Sequence, residues 1–192
     1  MLSGAEIARG GQGAVKILLG DPTAPAHFDN TIESCLRSFR VMAVVAPFYV
    51  LYLLINYASL TTDAEGWEIA YVEALRYVVD WLLFPVIFHE IARQRGWLER
   101  YPRYISSLNW INLPAVILLL AGQLVATVAP LAITALLQIG LQGLFFYWFM
   151  SATRMTLRAP WSLAAVLMVV NWVPSYFLSV LVNRILGVTA GL

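Results

Sequence analysis

The chain has 192 residues, 60% of them hydrophobic and only 12% charged, with a formal net charge of +1. A soluble domain is nearer half apolar and a quarter charged, so this composition excludes an ordinary water-soluble fold; the near-zero net charge excludes the basic field that nucleic-acid binding needs. The apolar residues come in long blocks, which points to several transmembrane helices rather than one large core.

Residues 3–19 read as a short helix, with Ser3 and Glu6 placed as a capping box. Gly10, Gly11 and Gly13 read as a flexible break in it; the run Gly-Gly-Gln-Gly lacks the Lys-Ser/Thr and the preceding strand of a phosphate loop. The N-terminal run has no basic start, short apolar stretch and small-residue cleavage site, so the first span is expected to act as an uncleaved signal anchor. Asp21-Pro22 and Pro25 end the first helix.

In HFDNTIESCLRSFR, Phe28, Ile32, Leu36 and Phe39 recur at helical spacing, with Arg37 and Arg40 elsewhere around the wheel. The pattern predicts an amphipathic helix along the membrane surface, its apolar face in lipid and its arginines near phosphates. The plainer alternative is that it packs on the protein's own cytosolic loops. Cys35, the single cysteine, permits no intrachain disulfide and reads as a small packing residue.

Five spans follow, at roughly 41–60, 67–91, 109–128, 131–153 and 161–183. Each reaches about 30 Å at ~1.5 Å per residue, enough to cross the hydrocarbon. The predicted fold is therefore an all-α integral membrane protein. It has an N-terminal cytosolic and interfacial helical region, 1–40, followed by a five-helix transmembrane bundle, 41–192. The short turn at Pro130 makes spans three and four an antiparallel hairpin. Trp67, Trp97, Trp110, Trp161, Tyr57 and Tyr101 fall near span ends, as an aromatic belt does.

Inside the second span stand Glu73, Arg76 and Asp80. Spacings of three and four residues put them on one helix face, where Arg76 can pair with both carboxylates. Charge at membrane depth is costly, so these groups are expected to face the bundle interior, a wet cavity or one another. They serve either as a proton, cation or substrate path, or as an ionic tie that fixes the helices' register. Fully ionised, the triad carries one surplus negative charge. Tyr77 shares its face. Gln138 and Gln142 in span four, Asn171 and Ser175 in span five, and Gln123 in span three form polar stripes expected to line the bundle interior and bond across helices. Pro47, Pro85, Pro114 and Pro174 each remove a backbone donor within a span.

The two histidines, His27 and His89, stand at membrane edges without a companion ligand, and His89-Glu90 is not followed by the rest of a zincin motif. No catalytic set, metal site or cofactor motif is legible, so the expectation is a protein that is not an enzyme.

The run GDPTAPAHFDNTIESCLRSFRVMAVVAPFYVLYLL resembles the start of a group of small bacterial inner-membrane proteins. They share a short N-terminal helix, a Phe-Asp and Arg-Ser-Phe stretch, and an Ala-Pro-bearing first span. The general plan is similar to the Yip-type membrane protein family, whose eukaryotic members work in vesicle trafficking. The resemblance implies a five-span protein of the bacterial inner membrane and transfers no functional residue.

Two functions are expected from these features. The first is an accessory, scaffold or interaction subunit, with the lipid bilayer and other integral membrane subunits or a second copy as partners. The alternative is a small transporter or channel with a path along Glu73, Arg76 and Asp80. Ten of the twelve basic residues lie before span one, between spans two and three, or between spans four and five. The excess predicts a cytosolic N-terminus and a periplasmic C-terminus. A topology reporter fused after Leu192 is expected to be active only outside the cytosol; a cytosolic signal there would reverse the orientation.

Overall fold

Prolines, glycines and short polar loops punctuate the chain where helices start and stop. A computed structural model describes residues 2–188. Its helices are α1 (Gly4–Leu18), α2 (Ile32–Ser38), α3 (Val41–Tyr57), α4 (Gly66–Arg95), α5 (Tyr101–Ala126), α6 (Leu131–Leu157) and α7 (Trp161–Ile185), with a 3₁₀ turn at Ala24–His27. Ser3 caps α1: its hydroxyl accepts from the Glu6 N–H, and the Glu6 carboxylate accepts from the Ser3 N–H at 2.7 Å. That backbone donor, with the Arg37 guanidinium, holds the Glu6 carboxyl down at about 2. Gly96, at φ 70°, supplies the left-handed residue that closes α4. Pro130 and Pro160 stand immediately before α6 and α7.

The glycines of α1 do not break it. The helix runs through all three, and two of them lie against other elements. A Cβ on Gly10 would sit 2.1 Å from the Trp110 ring of α5, and one on Gly13 would sit 2.6 Å from His27. These residues are glycine because another element needs the space, not because the backbone flexes there. Trp148 of α6 reinforces the same junction, its indole N–H donating to the Ala14 carbonyl at 2.8 Å. Trp110 and Trp148 are thus buried under the N-terminal helix, and Trp110 does not belong to an aromatic belt. Trp67 and Trp161 do face outward.

The expected amphipathic stripe is also divided. Thr31 caps α2, its hydroxyl accepting from the Ser34 N–H, so Phe28 precedes the helix that carries Ile32 and Leu36. Phe28 is buried in the core, 3% exposed, and Phe39 packs half-buried against that core. Ile32 and Leu36 are 73% and 65% exposed. The inward face of α2 is instead Cys35 and Ser38. Its rotation is set by the Ser38 hydroxyl, which accepts from the Asn109 amide of α5 at 2.9 Å. Arg37 pairs with Glu6, while Arg40 is exposed.

The five long helices form a ring. α5 packs along α3 and α6, α6 along α7, and α7 along α4. The remaining side, between α4 and α3, is bridged by long aromatic side chains: Tyr77 stacks on Tyr49 and donates to the Met42 carbonyl at 2.7 Å. Four stretches are long and apolar enough to cross a membrane: Ile32–Tyr57, Tyr101–Ala126, Leu131–Leu157 and Trp161–Ile185. The expected fifth, α4, is a 30-residue helix but is not one of them. Glu73, Arg76 and Asp80 interrupt its apolar run.

The glycines make a paired test. Gly10→Val should destabilise the detergent-purified protein by about 1–3 kcal/mol, as overpacking does. Gly11→Ala, where nothing lies within 4 Å, should leave the melting temperature unchanged or raise it. Equal effects of the two would show that α1 does not need Gly10 to seat on Trp110.

Candidate functional site

Helical spacing along α4 places Glu73, Arg76 and Asp80 in one row facing into the ring. The Arg76 guanidinium lies 3.4 Å from Glu73 Oε1 and 3.6 Å from Asp80 Oδ2. The two carboxylates are not equivalent. Glu73 is 2% exposed and accepts two further bonds from α3, from the Tyr57 hydroxyl at 2.7 Å and the Tyr49 hydroxyl at 3.2 Å. Two phenol donors and one guanidinium satisfy its charge.

Asp80 has less. Its side chain is 30% exposed, and its Oδ1, itself buried, accepts no hydrogen bond. The Arg76 Nε that approaches its other oxygen is also outside hydrogen-bonding distance. The Glu73 end is therefore saturated, and Asp80 is the less compensated of the two carboxyl groups.

Asp80 opens onto a partly open cavity of about 410 Å³ lined by residues of all five long helices. α4 contributes Arg76, Tyr77 and Asp80; α5 contributes Asn109 and Asn112; α7 contributes Asn171 and Ser175. The remaining wall is mostly apolar, with aliphatic side chains and the rings of Trp81, Phe84, Phe146, Phe149 and Trp172. Beside the cavity, tyrosine side chains rather than close backbone packing link α3 to α4.

Of the polar residues singled out in the sequence, Tyr77, Asn171 and Ser175 line this cavity. Gln142 also lines it, but as an exposed residue rather than a buried one. Gln138 is exposed on α6, and the half-buried Gln123 is not part of the cavity wall. The expected glutamine stripe thus does not bury itself in the bundle: α6 turns Trp148, Ser151 and Ala152 inward at its other end, which sets the phase of the whole helix. Tyr57, expected in the aromatic belt, donates its hydroxyl to Glu73.

Tyr49, Asn109 and Asn112 were not legible as site residues. Their signals were a tyrosine-rich first span and two asparagines three apart at the start of α5, both of which also fit a membrane interface. Among the described residues, no three His, Cys, Asp or Glu side chains gather as a metal site requires. No family model, curated protein or solved structure matches the chain.

The unequal anchoring of the two carboxylates predicts unequal costs. Tyr57→Phe should lower unfolding stability in detergent by about 1.5–3 kcal/mol, the worth of a hydrogen bond to a charged group. Arg76→Gln should cost more, about 3–5 kcal/mol, because it strands buried carboxylates. Denaturation curves with matched detergent controls measure both; an Arg76→Gln protein as stable as wild type would mean that one carboxylate is already protonated.

Proposed function

We propose that the chain is a small multi-pass transport protein whose central cavity receives a cationic solute or a proton at Asp80. The observation that carries this is the placement of one incompletely paired carboxylate on a cavity walled by five long helices. An intramembrane ionisable group that faces a cavity is a candidate solute site. A carboxylate serving only as a structural tie would be saturated, as Glu73 is.

On this proposal α4 is a fifth span. Its charged row faces the ring, whereas Tyr71, Leu75, Val78, Leu82 and Val86 are exposed on its outer side. That outer face is apolar enough for lipid, and within the middle of the helix the charges lie on the inner face. The excess of basic residues on one side supports a cytosolic N-terminus and a periplasmic C-terminus, with the bundle in a bacterial inner membrane, as part of this proposal. No chemical step is assigned to the protein.

The interaction-subunit function retains one supporting observation: Gln138 exposes an amide on α6, where a partner helix could bond it. A second integral membrane chain co-purifying at fixed stoichiometry, and lost in Gln138→Leu, would favour it.

Liposomes loaded with a pH indicator or a cation dye test the transport function. Purified wild-type protein should raise proton or monovalent-cation flux above that of empty vesicles, and Asp80→Asn should reduce it by about tenfold or more. Flux equal to that of empty vesicles, or unaltered in a well-folded Asp80→Asn protein, would count against it.

A further inference from the structure

We infer that the solute of the central cavity is a small organic ammonium ion rather than a bare metal cation. This rests on the solute-site proposal for Asp80. Three observations beyond the carboxylate itself point to that class.

The first is the chemistry of the wall. An alkali or alkaline-earth ion needs a shell of oxygen ligands to replace its water. Besides the single Asp80 carboxylate, the polar lining side chains offer only neutral oxygens, including the Ser175 hydroxyl and the amides of Asn109, Asn112, Asn171 and Gln142. The rest of the wall is apolar, aromatic rings alternating with aliphatic side chains. Phe84, one turn beyond Asp80 on α4, meets Phe149 edge-on at 5.3 Å. Trp172, one turn before Ser175 on α7, meets Phe146 edge-on at 5.9 Å. The negative faces of such rings attract an ammonium with its alkyl groups, Trp most strongly, and they supply no lone pairs for a metal.

The second is charge. Glu73 and Asp80 together offer two negative charges against the single positive charge of Arg76. Glu73 accepts from two tyrosine hydroxyls besides Arg76, so the carboxylate left to pair with a cation when ionised is the one on the cavity side. One monovalent cation balances it. An anionic solute would find Arg76 already held between two carboxylates.

The third is size. The cavity measures about 410 Å³, within the ~300–1,000 Å³ range of small-molecule sites and far larger than one inorganic ion fills. An ammonium nitrogen at the Asp80 carboxylate, with its carbon substituents against the Phe84–Phe149 and Trp172–Phe146 pairs, uses both the charge and the aromatic surface.

Isothermal titration calorimetry on the full chain in nanodiscs tests this, with tetramethylammonium, ethylammonium, sodium and potassium chlorides at constant ionic strength. At least one of the two ammonium ions should bind saturably, and more tightly than sodium or potassium. Both Asp80→Asn and Trp172→Leu should weaken that binding by about tenfold or more, while Gln138→Leu leaves it unchanged. Thermal melts verify that each variant is folded, and Trp172→Leu keeps the charge triad intact if Asp80→Asn fails to fold. The inference is overturned if neither ammonium ion binds saturably, if sodium or potassium binds as tightly, or if binding survives Asp80→Asn. Proton or sodium flux that depends on Asp80 without ammonium binding overturns the ligand class and leaves the solute site standing; loss of both removes the two together.

Discussion

A buried carboxylate must be satisfied where it lies, and the rest of this structure depends on how Glu73 is satisfied. Desolvated inside the ring, it draws two tyrosine hydroxyls from α3 and a guanidinium from its own helix. Those bonds join α3 to α4 across a gap that their backbones do not close, and so complete the ring of five helices. They also claim Arg76 in part, which leaves Asp80 with an unpaired oxygen. One interaction thus closes the bundle and leaves a charged group at the cavity.

α5 organises the remainder. It is flanked by α3 and α6 and also receives α1 and α2. The seats are specific: the Trp110 ring fits where Gly10 has no side chain, and the Asn109 amide donates to Ser38. Asn30 and Arg103 add polar bonds at the start of α5, Asn30 donating to the Glu99 carbonyl and Arg103 to the Phe28 carbonyl. The N-terminal helices are therefore built into one end of the bundle rather than laid beside it. Ile32 and Leu36 alone of the expected stripe keep an outward apolar face, the part of α2 available to lipid.

The helices themselves were plain in the sequence, because long apolar blocks bounded by Pro, Gly and polar loops have few alternatives. Four of them cross the threshold of length and apolarity. α4 is the instructive case, since the charges that identify it as functionally distinct are the same ones that lower its mean hydropathy. The wrong expectations share one cause. Gly10 and Gly13, Trp110, Tyr57 and Gln138 each have a common local role, as break, belt or stripe, which is all that local pattern can suggest. What decided them was a neighbour distant in the chain: Trp110 for Gly10, α1 for Trp110, Glu73 for Tyr57, and the inward phase of Trp148 for Gln138.

By itself the sequence determined the helical class, the helix boundaries to within a few residues except the start of α5, which lies at Tyr101 rather than near 109, and the row of Glu73, Arg76 and Asp80 on one face. These follow from covalent periodicity and the cost of charge in an apolar medium, which act within a single helix. Only the tertiary structure decided which carboxylate is saturated and which faces the cavity. That choice depends on where the tyrosines of α3 arrive beside α4, and relative placement of two helices is a property of packing that no spacing along either one contains.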